Sequence, residues 1–163
     1  MDLWNELFKM QEAQGKQRKK ARVVLQAEDT PWEINRQGKM KWYLHPAVKD
    51  TCHQAFMAYV QEIPPGSRSG KIRHQGGTTF YVWQGKGYSM INGKKHIWEK
   101  DDTIILPVSI DYVQGVTYQH FNSDKKNPAL LLAIAPNVVD SIGVDMGIGL
   151  QQLEDCPEYR GKK

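Results

Sequence analysis

Apolar and polar residues alternate through most of this chain with the period of two that belongs to half-buried β-strands. Met40, Trp42 and Leu44 alternate with Lys41, Tyr43 and His45, and the run ends at Pro46. Phe56 to Ile63 is a second run, stopped by Pro64-Pro65-Gly66. Arg68 to His74 leads into Thr78 to Trp83, which is rich in the β-branched and aromatic residues that favour strands. Gly85-Lys86-Gly87 predicts a turn. Tyr88–Ile91 and Lys94–Trp98 flank Asn92-Gly93, a strong two-residue hairpin signal. Thr103 to Leu106 is a short strand closed by Pro107, and residues 108–114 read as a looser connection. Gly115 to Phe121 is a strand with a polar face, residues 122–127 a turn, and Ala129 to Ala135 a buried strand bounded by Pro136. Ala21 to Leu25 also reads as a strand, broken at Thr30-Pro31. About eight to ten short strands at regular spacing predict an all-β sandwich or barrel.

Only the ends depart from that period. Asp2 is placed to cap a helix in which Leu3, Trp4, Leu7 and Phe8 recur at helical spacing. The pattern predicts weakening near Gly15 and a resumption through Lys20. Residues 137–163 have no clean period, and Leu150 and Leu153 beside Glu154-Asp155 suggest a short helix. The reading is one structural domain: an N-terminal helix and extension strands over 1–55, a barrel core over 56–136 and a tail over 137–163.

Length and charge narrow the function. A chain of 163 residues is long enough for one buried core. No apolar run approaches the roughly 20 residues that span a bilayer. The N-terminal sequence lacks the basic start and apolar core of a signal peptide, so the expected location is the cytoplasm. Cys52 and Cys156 are too few for a disulfide framework and read as free thiols. The net charge of +4 is concentrated in Lys16, Arg18, Lys19, Lys20 and Arg22. With no interleaved aromatics, that run reads as a solvated helix end, not as a nucleic-acid or membrane surface. Gly85-Lys86-Gly87 lacks the ending and following helix of a phosphate loop.

The candidate chemistry lies on two strand faces. Alternation puts Ile72, His74, Gly76, Thr78, Phe80 and Val82 on one face. Tyr118, His120 and Asn122 share a face of the second strand. If these faces meet inside a barrel, they surround a site for a small organic molecule, with an aromatic compound or a carboxylate as the expected class. His74 or His120 would serve as general acid or base, because imidazole titrates near neutral pH. Tyr118 would donate to a developing oxyanion. Thr78, Phe80 and Asn122 would contact the ligand, although Asn122 also suits the turn that follows its strand. Arg73 points away from His74 by the same alternation. Tyr81 and Trp83 face outward and, with Trp4 and Phe8, predict a homodimer.

These residues resemble the two-motif core of the cupin superfamily over roughly residues 56–136. The family motifs run G-x5-H-x-H-x3,4-E-x6-G and G-x5-P-x-G-x2-H-x3-N. Gly66 to Asn122, with His74-Gln75-Gly76-Gly77, is most similar to bacterial cupins related to gentisate and salicylate ring-cleaving dioxygenases. The resemblance implies an antiparallel jelly-roll barrel holding one divalent transition metal: iron, nickel, manganese, copper or zinc. Its four ligand positions fall on Ile72, His74, Thr78 and Tyr118, so only His74 keeps the usual residue. A related pattern, His-x-His-Phe-Asn, would put a ligand at His120, with tyrosine here at the first position. The metal set implied is then His74, His120 and Tyr118 as phenolate. The alternatives are a metal-free lyase, isomerase or decarboxylase, and a binding protein without turnover.

Overall fold

A computed structural model describes residues 2–109, 115–142 and 149–161 of the chain. Parts of the 108–114 connection and of the tail therefore lie outside the described residues. The helix α1 (Leu3–Lys20) opens on Asp2, whose carboxylate accepts from the Asn5 N–H at 3.1 Å. It does not weaken at Gly15, where nothing crowds the glycine. Arg18, Lys19 and Lys20 occupy its last turn, where cations complement the helix dipole. No residue of α1 is buried, and the Gln17 side chain donates to Lys49 O at 2.6 Å.

The strands, in chain order, are β1 (Trp32–Asn35), β2 (Gly38–Leu44), β3 (Phe56–Ile63), β4 (Lys71–His74), β5 (Thr79–Gln84), β6 (Lys86–Ile91), β7 (Lys94–Glu99), β8 (Thr103–Ile105), β9 (Val116–Asn122), β10 (Ala129–Pro136) and β11 (Gln151–Glu154). They form two antiparallel sheets, ordered β1-β2-β3-β10-β5-β8 and β11-β4-β9-β6-β7. This is the all-β jelly roll that the sequence implied, with a helix in front. Among the described residues no helix is long and apolar enough to cross a membrane.

The chain passes from one sheet to the other at Gly85, whose φ of +93° and close approach to Ala129 leave no room for a Cβ. The β6–β7 hairpin turns on Asn92 and Gly93, both with positive φ, as the dipeptide predicted. The sheets meet face to face through Phe80 of β5, whose ring lies 5.7 Å from Tyr118 and 4.5 Å from His120 of β9. Ile63, Val82, Trp98, Leu106 and Leu131 complete the core.

Three further expectations from the sequence change. Ala21 to Leu25 is not a strand: Arg22 alone makes a bridge, to Thr51, and its guanidinium pairs with Asp50 and Asp29. Val23 and Val24 are exposed and have no sheet to join. Leu150 and Leu153 do not start a helix; β11 fills the open edge of β4, and Glu154 pairs with Lys71 and Arg68. The single face read from Ile72 to Val82 is divided: β4 ends at His74 and belongs to one sheet, the chain turns through Gly76 and Gly77, and Phe80 and Val82 lie on β5 of the other. Cys52 and Cys156 are free thiols, as expected.

Candidate functional site

The site is built where β4 ends. The chain turns sharply after His74, and the Gly76 N–H donates to His74 Nδ1 at 2.8 Å. This turn needs glycine: Gly76 has φ of +88°, and a Cβ there would fall 1.8 Å from Pro107 O. His74 is 7% exposed, and burial lowers its imidazole to about 4. The ring is therefore neutral at pH 7. Because Nδ1 accepts a hydrogen bond, the single ring proton sits on Nε2.

Tyr118 lies directly opposite Ile72 across the β4–β9 ladder. Its ring meets His74 edge-on at 5.2 Å. Its hydroxyl lies close to that of Tyr59 on β3. Burial raises the Tyr118 phenol well above its usual value, and the neighbouring Tyr59 adds to the effect. Burial likewise pushes Tyr59 up to about 12. Both phenols keep their protons at neutral pH. The phenolate expected at Tyr118 is therefore disfavoured, because among the described residues no positively charged side chain acts on the phenol.

These residues border a cavity of about 1010 Å³. Ile72, His74, Thr78 and Tyr118 form its buried end. Its walls are largely apolar and include Met40, Trp42, Met57, Tyr59 and Val108. Trp42 stands 4.6 Å from Tyr59, ring to ring. The charged lining residues Arg36, Lys49 and Asp140 lie at the exposed end. Lys49 pairs with Asp140 at 3.0 Å, and Arg36 with Asp155 at 2.7 Å.

The structure brings together His74, Thr78 and Tyr118 of the expected set and separates the other three from the cavity lining. His120 is fully buried beyond Tyr118, at 5.1 Å. Its Nδ1 is 2.6 Å from Ser89 Oγ, which accepts from Trp98 Nε1 at 2.9 Å. Its Nε2 is buried without a hydrogen-bond partner, among the rings of Phe80 and Tyr118. Phe80 packs between the sheets. Asn122 donates through Nδ2 to the carbonyls of Ile63, Pro64 and Asn127, and its Oδ1 accepts from the Asp124 N–H. That side chain is consumed by the turn.

Sequence reading missed Trp42, Tyr59 and His45 as cavity residues. A register shift between Trp42 and Leu44 interrupts strict alternation, and His45 lines the cavity as Trp42 does.

The residues present do not fit a transition metal at the cupin ligand positions. Ile72 has no donor atom, Thr78 is a neutral hydroxyl, and Tyr118 would first have to give up a proton that burial holds on. A histidine that ligates through Nε2 normally donates Nδ1–H to an acceptor. Here His74 Nδ1 faces the Gly76 N–H instead. Among the described residues, no group of three or more His, Cys, Asp or Glu side chains gathers to hold an ion.

Residues 59–135 match the family model described as Cupin domain. No curated protein matches the chain significantly. Among solved structures, the polyketide cyclase RemF from Streptomyces resistomycificus is similar at TM-score 0.55 and 15% identity, covering 71% of this chain and 79% of that one. The Streptomyces protein PAC13, in a substituted form with uridine, is similar at 0.57 and 13%, covering 83% and 93%. A salicylate 1,2-dioxygenase from Pseudaminobacter salicylatoxidans is similar at 0.56 and 15%, covering 75% of this chain. This chain spans about a third of that dioxygenase's length, 32%. Over residues 59–135 the chain matches the cupin domain model, and its jelly roll shares the fold of these neighbours, a ring-cleaving dioxygenase among them.

Proposed function

We propose that this cupin binds a small organic molecule in the cavity beside β4 and β9, with His74, Tyr118 and Thr78 as its polar contacts and no transition metal among them. One observation carries the reading: a cavity of about 1010 Å³ joins apolar walls to a buried end made of hydrogen-bonding side chains. Pockets of that size and character are the usual form of a small-molecule site. A neutral His74 Nε2–H and a protonated Tyr118 are suited to an oxygen on which negative charge develops. That chemistry serves isomerisation or elimination beside a carbonyl, and a binding protein without turnover uses the same contacts. Ring cleavage by a metal dioxygenase is the weaker reading, because the donor set opposes it despite the shared fold.

The test is a small-molecule screen by thermal shift, followed by calorimetry and product analysis, all in the presence of chelator. Compounds that stabilise the wild-type protein and not His74→Ala support the reading, since a ligand selective for the folded state raises its stability. A screen without any such compound overturns it.

We also infer a homodimer. Trp4, Phe8 and Trp83 are exposed at 70%, 53% and 54%, and large aromatics left in water suit an interface. A light-scattering mass equal to one chain at micromolar concentration contradicts this. The two free thiols suit a reducing compartment, so the cytoplasm is the proposed location.

A further inference from the structure

We propose that the cavity selects neutral, ring-containing carbonyl compounds over the corresponding carboxylates. This rests on the small-molecule reading above and names the ligand class.

The argument is a count of donors and charges at the buried end. His74 presents Nε2–H, because the Gly76 N–H occupies Nδ1. Tyr59 and Tyr118 lie close together and carry two hydroxyl protons. At most one of these protons can be spent between them, and the other is left for a third partner. Thr78 adds a hydroxyl that can donate or accept. The buried end thus has donors in surplus, and a ligand oxygen is what satisfies them.

Fixed positive charge is missing from the same place. The only Lys and Arg among the described lining residues are Lys49 and Arg36, both at the exposed end and both paired with carboxylates. Residues 110–114 and 143–148 contain no Lys or Arg. A carboxylate moved to the buried end would lose its water without gaining a counter-charge, which is strongly unfavourable. A ketone, aldehyde or ester oxygen accepts the same hydrogen bonds with a far smaller loss of hydration. The aromatic walls, Trp42 against Tyr59 and Tyr118 beside His74, favour a flat ring behind that oxygen.

The test is calorimetric binding of matched pairs to the full-length protein at pH 7.5: 2-acetonaphthone against 2-naphthoate, and methyl 4-hydroxybenzoate against 4-hydroxybenzoate. The neutral member of each pair is expected to bind at least about tenfold more tightly, the scale of a buried hydrogen bond plus the charge it avoids. His74→Ala and the milder Tyr118→Phe should each weaken the neutral member several-fold, with circular dichroism confirming that the variants fold. Carboxylates that bind as tightly as their neutral partners overturn the selectivity while leaving the pocket reading intact. Neutral binding unchanged in both variants also overturns it, since the donors would then be idle. Failure of all four compounds, while other compounds in the screen bind and depend on His74, overturns the ligand class alone; failure of the entire screen overturns the pocket reading with it.

Discussion

His74 and His120 flank the same tyrosine at nearly the same distance, 5.2 and 5.1 Å between rings, yet they sit in different chemistry. His74 borders the cavity, with its Nδ1 held by a backbone N–H. His120 lies in a sealed cluster with Ser89 and Trp98. Both are neutral, because burial lowers the first to about 4 and the second to about 3. The difference teaches that strand alternation identifies a face but not a depth along it. The shallower position reaches the cavity, and the deeper one packs between the two sheets.

Substitutions should separate these roles. His120→Ala is expected to have the largest effect, about 3 kcal/mol of lost stability, from an internal cavity beside Phe80 and a broken Ser89 network. Urea denaturation measures it, and a loss as small as that of a surface variant breaks the comparison. Gly76→Ala should lower stability by about 2 kcal/mol through its positive φ, and the clash with Pro107 should also disturb the His74 lock. Its signature is weakened ligand binding, which His120→Ala in its folded fraction should show far less.

Acid sharpens the contrast. Both histidines have folded values below the unfolded value of 6.5, so the unfolded chain takes up protons first as pH falls. Their contribution is complete above pH 6.5 and is lost on descent towards 4 for His74 and 3 for His120. The expected slope is up to about 1.4 kcal/mol per pH unit for each histidine. In His74→Gln the slope should flatten between pH 6.5 and 4 and keep the part due to His120. The smallest effect belongs to the cavity mouth. Lys49→Ala breaks a pair with Asp140 that is half exposed, and should change the unfolding midpoint by less than about 1 kcal/mol equivalent.

Much of this was legible in the sequence, for a physical reason. Strands with one buried face announce themselves by alternation, as β10 does with every second residue buried. Edge strands do not. Three of the four residues of β1 are exposed, and so are three of β11. Backbone pairing with β2 and β4 defines these strands, and no side-chain pattern records it. Val23 and Val24 are the reverse case, with strand-forming side chains and no neighbour to pair with. In the site, His74 and Tyr118 followed from alternation, whereas Thr78 reaches the cavity after a turn at Gly76 and Gly77 that alternation along one strand does not describe. Tyr59 and Trp42 arrive through β3 and β2, ahead of the first motif. Nothing local could show that Asn122 spends its amide on three carbonyls.

The most direct test of a pocket that works without metal is the Kd of the tightest compound from the screen, measured by calorimetry before and after exhaustive EDTA dialysis. The dialysed protein is then reloaded in turn with Fe(II), Mn(II), Ni(II), Cu(II) or Zn(II). The expected result is an unchanged Kd throughout, with His74→Ala about tenfold weaker in every condition. Binding that disappears with EDTA and returns with one equivalent of a metal would contradict the account.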